Sequence, residues 1–387
     1  MIFRQIAGDI FQPVIRDLPE RYQRLILKKY QVDVNSINQH TGSSEVSGAN
    51  GMRIYTIENI QGTKLVVSDF GAAAISLFVA DRTGKKADIL LGYQAAEEYL
   101  RDEFYMGTVV GRYANRIAGD TVLIDDNAYK LFTKDGTYHH HGGKVGFNKK
   151  QFHSREFHQV GKSGIIFSYT SPHLEEGFPG ELKLEVIYTL GDDNSWTVEY
   201  KAVSDKTTLI NLTQHAYFNL TADPSKTIDA HQLQINARQF LPVNELQVPT
   251  GLLADVNGTP FDFTSSKQIG KDLHADDAQL KLGNGYDHSF VLETTHTGQL
   301  KNAATVYDAT TGRMMEVFTT EPSVHLYTGN FLENVVGKNG ITYQPRAGFC
   351  LETQHFPNAP RHDHFPSTVL KAGEKFYSKT VFNFSAR

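Results

Sequence analysis

Residues 181–203 read ELKLEVIYTLGDDNSWTVEYKAV, and this stretch restricts the fold more than any other part of the chain. Leu182, Leu184, Val186, Tyr188 and Leu190 alternate with Glu181, Lys183 and Glu185. Side chains two apart on a strand share a face, so this is a strand with one apolar side. GDDN at 191–194 supplies turn residues, after which Trp196, Val198, Tyr200 and Ala202 resume the alternation. The pattern predicts a β-hairpin. Residues 304–319 repeat the plan around a turn at 309–312, and 164–170 and 231–243 read as further strands.

Helical periodicity is scarce beyond residue 46, apart from a turn near QAAEEYLRDE at 94–103. The alternation of strands and helices that builds parallel sheets is absent. The expected fold class is all-β: a large, mostly antiparallel sandwich or barrel spanning 47–387. Residues 1–46 form an N-terminal extension with a short helical segment, because 17–32 places Leu18, Tyr22, Leu25 and Ile26 at helical spacing. The Gly-, Ser- and Asn-rich stretch 38–51 reads as a linker.

With 38 basic and 43 acidic side chains among 387 residues, and no basic stripe, a nucleic-acid partner is not expected. The single cysteine, Cys350, excludes an internal disulfide framework. No apolar run reaches the length of a membrane span, and charges interrupt the N-terminus where a signal peptide would be continuous. These features predict a cytoplasmic protein without membrane contact.

Several polar clusters break the strand pattern. NLTQHAYFNL at 211–220 sets Leu212, Gln214, Ala216, Phe218 and Leu220, a mostly core-facing set, on one face of an expected strand. Asn211, Thr213, His215, Tyr217 and Asn219 fall on the other, which meets solvent or lines a polar cleft. GRYANRI at 111–117 carries Asn115 and Arg116, a guanidinium fork suited to hydroxyl or carboxylate recognition. YHHHGGKVGFNKK at 138–150 lacks the ligand spacing of a zinc site, and neighbouring histidines on a strand face opposite ways. Its glycine pair lets His141 project into a cleft.

Asp287 in GYDHSFVL stands at the entrance to a strand, and His325 shares a face with Tyr327 in SVHLYTGNF. Glu352 in GFCLETQHF sits in an apolar strand with Cys350 and Gln354 on its own face. Burying a carboxyl there is costly and tends to raise its pKa. A histidine on one strand and this glutamate on another would make an acid/base pair suited to sugar chemistry, if their faces converge. Hydrolase, NTPase and dinucleotide motifs are missing.

GRYANRI, HHHGGKVGFNKK, EEGFPGEL, NLTQHAYFNL, GYDHSF, YTGNFL and GFCLETQHFPNAP occur in this order. Together they closely resemble the aldose 1-epimerases, or galactose mutarotases, from about residue 50 to the C-terminus. The resemblance implies a galactose mutarotase-like β-supersandwich with a sugar site on a concave face. It implies interconversion of α and β hexose anomers, with His215 as general acid and Glu352 as general base. Asn115, Arg116, His141, Tyr217 and Asp287 carry over as sugar-binding positions. His325 stands where other members can carry glutamine, which leaves its substrate contact open. The expected partner is a small sugar met by a monomer or homodimer, with no metal and no cofactor. An epimerase of disaccharide reducing ends, a non-catalytic sugar-binding module and a glycoside hydrolase using Asp287 with Glu352 are the rival readings.

Overall fold

The computed structural model describes residues 43–47 (backbone path only), 51–133, 135–293 and 298–387. Three antiparallel sheets carry most of it. The first has five strands in chain order, Ser43–Ser47, Arg53–Glu58, Lys64–Ser68, Ala74–Ala80 and Lys86–Asp88. The second has nine strands, and the expected hairpin supplies the third and fourth of them. There Leu182–Gly191 pairs with Ser195–Ser204, with Leu190 opposite Trp196. Lys301–Tyr307 and Arg313–Thr319 form the other expected hairpin in the same sheet.

The third sheet positions the site. It runs Ala254–Asp255, Ala237–Phe240, Asp287–Leu292, Ser323–Tyr327 and Cys350–Gln354. Its alternation divides the side chains cleanly. Phe290, Val324, Leu326 and Leu351 point into a core shared with Tyr55 and Val67 of the first sheet and Val186, Trp196 and Phe382 of the second. The opposite face carries Asp287, Ser289, His325, Tyr327, Cys350 and Glu352, brought into line by the pairs Asp287–Tyr327, Ser289–His325, His325–Glu352 and Tyr327–Cys350. Apolar burial at roughly 25 cal/mol per Å² makes a one-residue slip prohibitive, because it would exchange these two faces.

Two expectations change. The stretch 211–220 is not one strand: only Thr213–Gln214 pairs regularly, with Val109–Val110, while Phe218 bridges to both Leu90 and Phe349. All ten residues are buried, and Gln214, from the supposed core-facing set, donates to the Tyr188 hydroxyl at 2.6 Å. Within the supposed linker 38–51, Ser43–Ser47 extends the first sheet by pairing with Arg53–Glu58, so the proposed boundary at 46/47 falls inside a strand. The helical turn expected near 94–103 is present as a 3-10 helix, Ala96–Arg101. The helical segment expected at 17–32 lies outside the described residues.

A partly buried ion pair holds His355, whose backbone ties the site sheet to the 211–220 segment. His355 Nδ1 lies 2.6 Å from Glu321 Oε2, and the His355 backbone N–H donates to Asn211 Oδ1 at 2.9 Å. Burial alone would lower the His355 pKa, but the charge and hydrogen bond of Glu321 raise it above the ordinary 6.5. Burial alone would raise that of Glu321, and the charge of His355 holds it below the ordinary 4.5. The pair therefore stabilises fully between 4.5 and 6.5. Its contribution fades as pH climbs through the raised imidazole value or drops through the depressed carboxyl value. Glu321→Gln is expected to cost ~1.5–3 kcal/mol near pH 5.5 and less near pH 9. Urea unfolding at the two pH values reads this, and a deficit independent of pH would assign the loss to packing instead.

Candidate active site

A pocket of about 200 Å³ opens over the polar face of the third sheet. It is lined by every residue singled out in the sequence: Asn115, Arg116, His141, His215, Tyr217, Asp287, His325 and Glu352. Glu103, Phe104, Tyr105, His140, Tyr327 and Phe331 complete the wall. A neighbouring cavity of about 750 Å³ shares Glu103, Tyr105 and His140 with it.

His215 and Glu352 meet at the centre. His215 Nε2 is 3.5 Å from Glu352 Oε1, and their side chains are only 5% and 2% exposed. Burial raises the Glu352 pKa well above its ordinary value, and the negative charge of Asp287 adds to this against Arg116. Burial lowers His215 to about 4, only partly opposed by a hydrogen bond to its own backbone. Both shifts favour uncharged groups. Two groups this close titrate as a pair, and both shifts favour a shared proton on the carboxyl rather than on the imidazole. Glu352 Oε2 is buried without a protein hydrogen-bond partner.

The loop ahead of His141 is braced by backbone in the left-handed region. Asn115 has φ 61° and His141 φ 46°. They hold one another: the His141 N–H donates to the Asn115 carbonyl at 3.0 Å, and the Asn115 N–H donates to His141 Nδ1 at 3.2 Å. Gly142 follows at φ 86°, where any Cβ would stand 1.8 Å from the Gly111 carbonyl oxygen. Non-glycine residues at positive φ cost about 1–3 kcal/mol each and persist where the surroundings over-determine them. The chain turn also defeats strand alternation, so His140 and His141 both face the pocket. His139 turns away instead, with Nδ1 2.8 Å from the Phe132 carbonyl. Sequence reasoning missed His140 for this reason, and it missed Tyr105, whose ring lies 4.5 Å from that of His141 and 5.8 Å from that of His215.

Asp287 is delivered by a capped helix. Asp277 accepts from the N–H groups of Gln279 and Leu280 to start Ala278–Gly283, and Asn284 ends it at φ 53°. Asp287 does not serve its own turn, since His325 Nε2 donates to its Oδ1 at 2.7 Å. Burial alone would raise the Asp287 pKa, but the bond and charge of His325, with Arg116, hold it well below the carboxylate range. His325 Nδ1 meets Ser289 Oγ at 2.9 Å, so both of its nitrogens are engaged. Arg116 donates to Gln247 Oε1 at 2.5 Å and lies over the Tyr138 ring at 5.6 Å. Tyr217 spends its hydroxyl on the Phe104 carbonyl at 2.9 Å and offers the pocket its ring.

The family model described as aldose 1-epimerase matches residues 53–383. The chain belongs to the aldose 1-epimerase family. It is 42% identical to galactose mutarotase of Sus scrofa over 340 residues, 88% of this chain and 96% of that one. It is 35% identical to aldose 1-epimerase of Escherichia coli K12 over 336 residues, 86% and 95% of the two chains. The crystal structure of galactose 1-epimerase from Lactobacillus acidophilus superposes with a TM-score of 0.79 at 29% identity, covering 89% of this chain and 98% of that one. The galactose mutarotase-like β-fold follows from these matches and from the sheets described above.

His141, His215 and Glu352 could in principle hold a metal, with donor atoms within 4.8 Å of one another. The hydrogen bonding opposes it. The Asn115 N–H occupies His141 Nδ1, which assigns the proton of the neutral ring to Nε2. A nitrogen bearing a proton has no lone pair for a metal, and ligating histidines normally donate from their other nitrogen. Purified protein is expected to contain far less than one equivalent of zinc by elemental analysis. A tightly held equivalent would overturn the tautomer assigned to His141.

Proposed function

We propose that this site interconverts the α and β anomers of hexoses such as galactose and glucose by acid/base-catalysed opening and closing of the ring, and that it works in the cytoplasm. The observation that carries this reading is the 3.5 Å approach of His215 Nε2 to Glu352 Oε1 on the floor of a pocket lined by hydroxyl-binding groups. The names of the relatives, galactose mutarotase and aldose 1-epimerase, point the same way. The free, buried Cys350 agrees with a reducing compartment. Among the described residues no helix is long and apolar enough to cross a membrane.

In this mechanism the Glu352 carboxylate removes the anomeric hydroxyl proton while the His215 imidazolium protonates the ring oxygen. The C1–O5 bond breaks and the aldehyde forms. Rotation about C1–C2 turns the other carbonyl face to the hydroxyl, and closure runs with the roles exchanged. The opening step carries the pair from carboxylate and imidazolium to carboxylic acid and imidazole. That is the state burial favours at both residues, so the cost of first forming the charged pair is returned as the ring opens. His141 Nε2–H and Arg116 face the oxygens on which charge develops. The Asp287 carboxylate, held by His325, accepts from sugar hydroxyls and fixes the ring against the pair.

The adjoining cavity behind Tyr105 and His140 gives a second reading some footing, since it leaves space for a further sugar ring. One polarimetric experiment addresses both. Freshly dissolved α-D-galactose, α-D-glucose and α-maltose are expected to reach equilibrium rotation faster with wild type. Glu352→Gln and His215→Asn should each lose roughly 10²–10⁴-fold of that acceleration. No acceleration by folded wild type would leave a non-catalytic sugar-binding module.

The proton count also sets a pH dependence. Activity needs one proton on the pair, so kcat/KM should fall below about 4 as His215 takes up a second proton. It should fall again on the alkaline side as the shared proton leaves at the raised value of Glu352. A rate independent of pH from about 3 to 10 would remove both residues from the chemistry.

A further inference from the structure

Cys350 and Glu352 stand two apart on the strand Cys350–Gln354, so both project toward His215. They address its two nitrogens. Glu352 Oε1 lies 3.5 Å from Nε2, and Cys350 Sγ lies 3.5 Å from Nδ1, 135 residues away in sequence. Neither residue 350 nor its sulfur takes part in the reaction derived above.

We propose that Cys350 is a positioning residue for His215: its sulfur accepts the Nδ1–H and so keeps Nε2 as the nitrogen that exchanges a proton with the sugar. The proposal rests on the acid role given to His215. The cycle moves that ring between imidazolium and neutral imidazole. The neutral form must present a bare Nε2 to the protonated oxygen, so Nδ1 must keep its proton throughout. A buried Nδ1–H needs an acceptor; beside the ring's bond to its own backbone, the thiol is the side chain within reach.

The choice of a sulfur has chemical content. A carboxylate behind a histidine holds the imidazolium and makes the ring more basic. Sulfur is a weak acceptor that secures the tautomer while leaving the imidazolium a strong acid. Burial, with the charges of Glu352 and Asp287, keeps the Cys350 thiol un-ionised, so no thiolate charge reaches the ring. The other titratable groups around His215 are Glu352, Asp287, His325, His140 and His141, with the rings of Tyr105, Tyr217 and Tyr327 against it.

The test compares wild type with Cys350→Ala and Cys350→Ser. Nitrogen-15 spectra of histidine-labelled protein, with His215 assigned by its loss in His215→Asn, report which ring nitrogen carries the proton. This readout needs no substrate, so it stands apart from whether the protein is a mutarotase. Wild type and Cys350→Ser, whose hydroxyl can also accept, should show Nδ1–H. Cys350→Ala should shift toward Nε2–H, lower kcat roughly two- to tenfold with KM little changed, and displace the acid limb of the pH profile. A residue that only fills space would alter stability but leave tautomer and profile alone. The wild-type tautomer and profile in folded Cys350→Ala, or Nε2–H already in wild type, would overturn the proposal.

Discussion

A carboxyl and an imidazole buried against one another in a pocket walled by rings govern much of this structure. Removing ionisable groups from water penalises their charged forms, yet the reaction needs a carboxylate and an imidazolium in the same cycle. The fold reconciles these demands by supplying one proton for two sites. The uncharged state is favoured at both Glu352 and His215, and the charged state differs from it by a proton moved over a short gap. A site open to water would keep the charges but lose the bias that discharges them. A site that was dry and unpaired would hold neither group in reactive form.

Such a pair demands positions fixed to fractions of an ångström, which explains why the polar groups stand mainly on strands. Cross-strand register puts Ser289, His325 and Glu352 side by side, and Asp287, Tyr327 and Cys350 beside them. The opposite face of the same strands is committed to the shared core. Large aromatic residues such as Trp196 and Phe382 fill that core and make slippage expensive. The Asn115–His141 corner departs from strand geometry, as do His215 and Tyr217, and at that corner reciprocal hydrogen bonds hold two residues at positive φ. Strain at that corner turns two successive histidines into one pocket, which no regular strand can do.

The same contrast explains what the sequence disclosed. Alternation in 181–203 and 304–319 was sufficient for the hairpins because long pairing partners lie next to each other in the chain. It also put Glu352, Cys350 and Gln354 on one face. The segment 211–220 has the same alternation but pairs piecemeal with Val109–Val110, Leu90 and Phe349, and period alone does not show that partners change every few residues. Ser43–Ser47 has linker composition, yet its backbone satisfies a sheet edge, a role that depends little on side chains. His140 and Tyr105 were illegible because their inclusion depends on a left-handed turn and on loop packing. The catalytic assignments themselves came from the family resemblance. Spacing alone supplied a histidine and a glutamate without showing that they meet.

Four histidines line one pocket, and for three of them the partner at Nδ1 separates their work. At His141 a backbone N–H points at Nδ1, so the neutral ring can only donate from Nε2, a fixed electrophile. At His325 the donor to Asp287 is Nε2, so in the neutral ring Nδ1 accepts from the Ser289 hydroxyl, and the residue acts as a strut for a carboxylate. At His215 the side-chain partner is a thiol, which neither forbids nor strongly stabilises a proton, and among the three this ring alone stands against a second titratable group at its other nitrogen without being bonded to it. Burial depresses the basicity of His141 and His215 alike and so cannot distinguish them. The difference between a donor and a proton carrier therefore lies in the atom behind the ring. A substitution there would change the chemistry of the site while leaving every group that touches the sugar in place.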